Sequence, residues 1–232
     1  MKTVTEKAEI YGPKGLPVRV EVAAFRASAP GRLDVALRLR EVEPFRGFWF
    51  LPGEFVREDE DLAVAARRGL RLLGVDEDVP LEQVIADARP RRDPRGHVVS
   101  VLHAALLRDP PRDTPELRWT SVNEIPPLGF GHAALLETAL VSLRERAVST
   151  PLVFAILPDA FTLGDLQSLL ETVLGEEMDR RNFRRKLKDA AFLAPVRGQQ
   201  RVGRHRPAQM YRFKPDAFAK WAGRFRGRDF LR

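Results

Sequence analysis

Apolar and polar residues alternate from Val18 to Leu39 in two runs, VRVEVAAF and DVALRLR, parted by the turn-like SAPGR. A period of two sends successive side chains to opposite faces of a strand, so this stretch is predicted to be a β-hairpin. Residues 61–73, DLAVAARRGLRLL, switch to helical spacing and stop at Gly74, a suitable C-cap. The turn signal DPRG then introduces HVVSVLHAALL, His97 to Leu107, a β-rich run, and AALLETALVSLRER, Ala133 to Arg146, reads as a helix. Strands, hairpins and helices in this mixture predict an α+β layered domain and not an alternating α/β one.

The pattern changes after Thr150 and Pro151. FTLGDLQSLLETVLG has Thr162 as N-cap, Asp165 at the third helical position, apolar residues at 163, 166, 169, 170, 173 and 174, and Gly175 as a stop. A second helix is predicted to begin at Asp179 and run through RRNFRRKLKDAA. VRGQQRVGRHRPAQMYRF then alternates around glycines like a two-stranded ribbon. Helix, turn, basic helix and basic hairpin is the order of a winged helix-turn-helix. Two domains are therefore expected, residues 1–148 and 149–232. Near the end, Phe218, Trp221 and Phe225 share one helical face and read as a packing stripe.

Composition narrows the chemistry. The absence of cysteine excludes disulfides and thiolate metal sites, and four histidines without ligand spacing make a zinc site unexpected. His97, His103 and His132 are read as packing or capping residues. No apolar run approaches the roughly 18 residues of a membrane span, and the N-terminus lacks a signal-like stretch, so a soluble cytoplasmic protein is expected. The net charge of +7 is unevenly placed. Residues 1–150 hold 22 Lys/Arg against 23 Asp/Glu, and residues 151–232 hold 17 against 9. All 17 of those cations lie from Asp179 onward, among only 4 carboxylates. A field of that sign attracts a polyanion, and nucleic acid is the commonest in a cytoplasm.

On a helix from Asp179, Phe183, Leu187, Ala190 and Ala191 share a face that can pack inward. Arg181, Arg184, Arg185 and Lys188 form a cationic stripe on the other side, with Arg180 beside them. Like charges at that spacing repel by a few tenths of a kcal/mol per pair, a cost that an anionic partner relieves. Arginine's planar fork suits guanine edges and phosphates, and Asn182 can read adenine. The wing adds Arg197, Arg201, Arg204, His205 and Arg206, positioned for a phosphate backbone or a minor groove. Tyr211 and Phe213 alternate like inward-facing strand residues and offer no stacking platform for RNA, so double-stranded DNA is the expected partner. One helix reads only a short half-site, which favours a homodimer on a two-fold operator.

Residues 53–75, GEFVREDEDLAVAARRGLRLLGV, resemble the Nudix box, with Gly53, Asp59, Arg67, Gly74 and Val75 in register. In that family three glutamates after the arginine hold divalent metal that activates water against a diphosphate. This chain has Arg68, Arg71 and Leu72 there, and Glu54 replaces a second glycine. Two cations and an aliphatic side chain do not coordinate magnesium, so neither a metal cofactor nor Nudix hydrolysis is expected.

Together with WTSVNEIPPLGFGH, FTLGDLQ, MDRRNFRRKL and GRHRPAQMYRF, the box is similar in order and spacing to the Nudix-related transcriptional regulators of the NrtR family. The resemblance implies a Nudix-like mixed-sheet α/β/α sandwich followed by the winged helix. It also implies a domain that senses a nucleotide such as ADP-ribose, repression of genes of NAD metabolism, and a homodimer. Arg38, Arg40, Trp49, Arg68, Arg71 and Arg95 are the candidates for an effector pocket resting on that analogy. Arg68 and Arg71 either cradle a diphosphate in place of metal or decorate a solvated helix face. The alternatives are an active pyrophosphatase on ADP-ribose or sugar nucleotides with a nucleic-acid-binding appendage, and a constitutive DNA-binding protein with a Nudix-like scaffold.

Overall fold

The computed structural model describes residues 16–76, 79–108, 110–188, 190–201 and 208–222, without the side chains of 198–201 and 221–222. The wing positions Arg204, His205 and Arg206, and Phe225 of the tail stripe, lie outside these residues, as do the side chains of Arg201 and Trp221. Two compact units are present. One holds the described residues up to Arg26 with Asp34–Val141, and the other holds Ala27–Leu33 with the described residues from Ser142 onward.

The first unit is built on a mixed seven-stranded sheet. Its strands are β1 (Val18–Ala29), β2 (Arg32–Leu39), β3 (Trp49–Phe50), β4 (Gly53–Phe55), β5 (Glu82–Asp87), β6 (Val99–Leu107) and β7 (Leu117–Ser121). The path runs β3-β2-β1-β6-β5, with β4 paired to β1 and β7 to β2. β1 and β6 are parallel, Val20 facing Val101 and Ala24 facing Ala105. The pairs β1–β4, β2–β3, β2–β7 and β5–β6 are antiparallel. The predicted hairpin is β1–β2, turned at Pro30 and Gly31, where Gly31 has φ +72.

Helix α1 (Leu62–Arg71) starts where the side chain of Asp61 accepts the Val64 N–H at 2.8 Å, and Gly74 follows at φ +73. Its Ala65, Ala66 and Leu70 join Val20, Val22 and Ala24 of β1 and Val101, Ala105 and Leu107 of β6 in one apolar cluster. Small residues bring helix and sheet close: a Cβ on Gly69 would stand 3.1 Å from Val22 Cγ2. The alternate positions Ala23, Phe25, Val35 and Leu37 are buried as well, so the sheet is covered on both faces. Polar residues at such positions must find partners inside the protein.

Helix α2 (His132–Ser149) runs from this unit into the second, and its Leu143, Ala147 and Val148 are buried. The contacts thus divide the chain inside this helix, whereas the expected boundary lay after residue 148. A 3₁₀ turn at Leu152–Ala155, strand β8 (Phe161–Thr162) and helix α3 (Leu163–Leu174) follow. After them come α4 (Arg180–Leu187), β9 (Leu193–Arg201), β10 (Ala208–Phe213) and α5 (Pro215–Ala222). The capping box expected at Thr162 and Asp165 is formed in both directions, and Gly175 ends α3 in the left-handed region. The ribbon is β9–β10, with β8 pairing the other edge of β10. Phe154, Phe192, Phe213 and Phe218 form its aromatic core, the rings of Phe154 and Phe213 stacking at 4.1 Å.

The structure corrects one helix end. The predicted second helix stops at Leu187, four residues short of Ala191. Phe183, Leu187 and Ala190 are buried, but Ala191 is exposed, because the chain turns after Lys188 to enter β9.

Candidate functional site

In the second unit, Asp179 caps α4 by accepting the Asn182 N–H at 2.7 Å. The turn before it is held by Glu171, whose carboxylate accepts from Met178 N–H at 3.0 Å and from Gln167 Nε2 at 2.9 Å. With Phe183 and Leu187 as the inner face, Arg180, Arg181, Arg184, Arg185, Lys186 and Lys188 are all exposed. Among the described residues none of the six forms an ion pair with a carboxylate. Arg185 donates to Asn182 Oδ1 at 2.8 Å, so Asn182 would have to release that contact before pairing with an adenine edge. A row of unneutralised guanidinium and ammonium groups on one short, capped helix suits a phosphate backbone and a groove floor.

The first unit contains a small cleft lined by charged side chains, among them Arg19, Glu21, Arg92, Asp93 and Arg95, with Phe130 and His132. Glu21 is 1% exposed. Arg19 Nε donates to it at 3.0 Å, Ser100 Oγ at 3.1 Å, and His132 Nε2 stands 3.5 Å away. His132 Nδ1 accepts the Leu51 N–H at 3.0 Å, which leaves the ring proton of the neutral form on the nitrogen facing Glu21. Burial pushes the Glu21 carboxyl up, but Arg19 and His132 outweigh it and bring the pKa down to about 2. Arg92 continues the network, donating to Ser100 Oγ at 2.7 Å and to the Phe130 carbonyl at 3.0 Å. Arg95 grips Asp93 through two bonds, 3.0 and 2.7 Å, and holds its carboxyl below the ordinary value against the effect of burial.

Phe130 is the strained element of this cleft. Its φ of 57 is unusual for a bulky residue, and such strain persists where the surroundings over-determine it. The Arg40 and Arg95 guanidiniums lie 5.0 and 5.4 Å from its ring centroid, and Phe45 meets it edge-on at 4.7 Å. Gly131 follows at φ +69, where a Cβ would press on Arg92 Cγ at 3.1 Å.

Gly53 closes the cleft network from β4. Its carbonyl accepts from Arg19 Nη2 at 2.8 Å, and a Cβ there would fall 2.1 Å from the Val20 carbonyl oxygen and 2.5 Å from Glu21 Oε2. Gly53→Ala is therefore expected to lower stability by about 2 kcal/mol, read as a fall in the urea midpoint at unchanged slope.

Of the residues singled out for an effector, Arg95 lines the cleft and Arg40 reaches its Phe130 wall. Arg38 and Trp49 are half-buried on β2 and β3, one register step apart. Arg68 and Arg71 do not line the cleft. Arg71 is 62% exposed and 3.7 Å from Asp76, a solvated pair. Arg68 is 18% exposed and fully engaged, donating to Glu54 at 3.0 Å, to the Phe55 carbonyl at 2.6 Å and twice to Glu60. A guanidinium neutralised in this way is not a vacant cradle for a diphosphate. Nor do these residues suit the divalent metal of the Nudix fold: Arg68 sits between the carboxylates, and Leu72 is 36% exposed farther along the chain. His103 is buried on β6, where desolvation pushes its pKa down, and His97 contacts the Ala88 carbonyl at 2.7 Å.

Sequence reasoning missed Arg19, Glu21, Arg92, Asp93 and Phe130. The available signals were polar residues within VRVEV and an aromatic held between two glycines in GFGH.

The fold and these sites define a class: a Nudix-like mixed-sheet domain followed by a winged helix-turn-helix with a basic recognition helix. Residues 153–213 match the family model described as the NrtR DNA-binding winged helix domain. The ADPR responsive transcriptional repressor NtrR of Acinetobacter baylyi is 32% identical over 204 residues, 84% of this chain and 80% of that relative. The crystal structure of Shewanella oneidensis NrtR complexed with a 27mer DNA is 30% identical, with a TM-score of 0.72 over 87% of this chain and 95% of that one. A MutT/nudix family protein from Enterococcus faecalis, 20% identical, shares the fold with a TM-score of 0.71 over 92% of this chain and 98% of that one. This chain belongs to the NrtR family.

Proposed function

We propose that this protein is a transcriptional repressor that binds double-stranded operator DNA through α4 and is released by a nucleoside diphosphate of the ADP-ribose type. The observation that carries the reading is the exposed cationic face of α4, whose six basic side chains have no carboxylate partner among the described residues. The relatives support it, one by the response to ADPR in its name and the other by its complex with DNA. Arg180, Arg181, Asn182, Arg184, Arg185 and Lys188 make the groove and backbone contacts, and a homodimer presents two such helices to a two-fold operator. The basic wing positions, Arg201, Arg204, His205 and Arg206, follow the adjoining backbone. The protein works in the cytoplasm, where its DNA lies; among the described residues no helix is long and apolar enough to cross a membrane.

The effector is read at the Phe130 cleft. Arg40 and Arg95 flank an aromatic face there, and once Arg95 exchanges its Asp93 pair for the ligand they suit a molecule carrying both anionic and planar groups. Arg38 on β2, two residues before Arg40, can extend that surface, whereas Trp49 pairs with Leu39 and so points to the other face of the sheet. The domain does not hydrolyse its ligand, because Arg68, Arg71 and Leu72 stand where a Nudix hydrolase needs metal-binding carboxylates.

Fluorescent DNA from the region upstream of the protein's own gene, titrated at several salt concentrations with and without ADP-ribose, tests the reading. Selective binding is expected, with a steep salt dependence of about 0.9 log units per phosphate neutralised. ADP-ribose is expected to weaken it and to survive incubation with protein and magnesium. Non-selective binding, or ADP-ribose turnover, overturns the proposal.

A further inference from the structure

Asn182 is the one uncharged polar residue of α4. It is half-buried, its backbone N–H donates to Asp179 Oδ1 at 2.7 Å, and its side-chain Oδ1 accepts from Arg185 Nη2 at 2.8 Å. Helix cap, amide and guanidinium are thus linked in sequence along the N-terminal half of α4. Among the described residues, Arg185 is the only one of the six basic side chains there that another side chain holds. Its position is distinct as well. At the roughly 100° per residue of an α-helix, Arg185 stands about 180° from the midpoint of Phe183 and Leu187, the buried pair. The other five basic residues lie nearer the flanks. A helix that lays its outer face in a major groove puts the residue opposite its packing face over the base edges and its flanking residues beside the phosphates.

An asparagine reads adenine with its amide oxygen and nitrogen together, and the oxygen of Asn182 is held by Arg185. The guanidinium gives one N–H to that bond and keeps enough others for two parallel bonds to O6 and N7 of guanine. A planar fork aimed in advance also loses less rotational freedom on binding than a free one. We propose that Arg185 reads a guanine in each half-site and that Asn182 is a positioning residue that aims it. The inference rests on the repressor reading and names the base that its recognition helix selects.

The test is binding of the full-length chain to duplexes carrying its footprinted upstream site, with each base pair replaced in turn. Wild type is expected to lose roughly tenfold or more in affinity when one G·C pair per half-site is replaced. Arg185→Lys keeps the charge but not the fork. It is expected to retain the wild-type salt slope and to become nearly indifferent to that pair. Asn182→Ala is expected to shrink the penalty at the same pair by about fivefold and to change preference at no A·T pair. Asn182→Asp keeps an acceptor for Arg185, so it is expected to restore the penalty while its charge lowers affinity for every duplex alike. None of these changes touches Phe183 or Leu187, and urea midpoints are expected to stay at the wild-type value. A preference lost at an A·T pair in Asn182→Ala, with the G·C penalty intact, makes Asn182 a direct reader and overturns the proposal. An unchanged G·C penalty in Arg185→Lys does so as well. In both cases wild type still selects its site and the repressor reading stands, whereas a wild type that binds every duplex alike brings down both.

Discussion

Arg184→Glu is expected to weaken operator binding by roughly a hundredfold or more, about 3 kcal/mol, with little change in stability. Arg184 is exposed at the centre of the cationic face and makes no ion pair among the described residues, so the charge reversal removes no fold contact. The packing of α4 rests on Phe183 and Leu187, 2% and 4% exposed, which the change leaves alone. A glutamate there also lies one turn from Arg180, Arg181 and Lys188 and pairs with them, so the variant withdraws those cations from DNA as well. The expected readouts are a lower affinity and a salt slope smaller by about one or more phosphates, with the urea midpoint shifted by less than about 0.5 kcal/mol. Wild-type affinity in this variant would remove α4 from the interface.

The second large effect concerns stability. Glu21→Ala is expected to cost roughly 3–5 kcal/mol, because it leaves the Arg19 guanidinium and the His132 ring facing a buried vacancy. Glu21 also makes stability depend on pH in a defined direction. Its folded pKa of about 2 lies below the ordinary carboxyl value, so its contribution is complete above that ordinary value and is lost as pH falls toward the folded one. Wild type should lose stability between about pH 5 and pH 2, more steeply than Glu21→Gln, which has no charge to titrate there. Asp87 and Asp93 are also held below their ordinary values, but they titrate alike in both proteins, so the difference isolates Glu21. Parallel pH profiles for the two proteins would show that the buried network is not charged as described.

What the chain settled by itself was local. The Thr162 cap, the Gly175 stop and the inward face of Phe183 and Leu187 depend on neighbours within one or two helical turns, and they stand in the structure where spacing put them. The basic stripe was legible for the same reason, since a helix face is fixed by sequence period. The α+β character followed from the change between the two periods along the chain. Strand β5 was not legible, because EQVIAD alternates only weakly on a largely exposed edge, and β7 is short.

The tertiary structure decided what each charge means. VRVEV has the alternation of a strand with one wet face, yet β1 lies inside a sheet covered on both sides, so Arg19 and Glu21 had to pair within the protein. Arg68 and Arg71 sit on the same helix with the same charge. One is clamped by Glu54 and Glu60 and the other lies in solvent, because only the path of β4 and the loop after it brings carboxylates to Arg68. Helical period assigns a residue to a face; what stands opposite that face depends on distant segments, and pairing energies are set there.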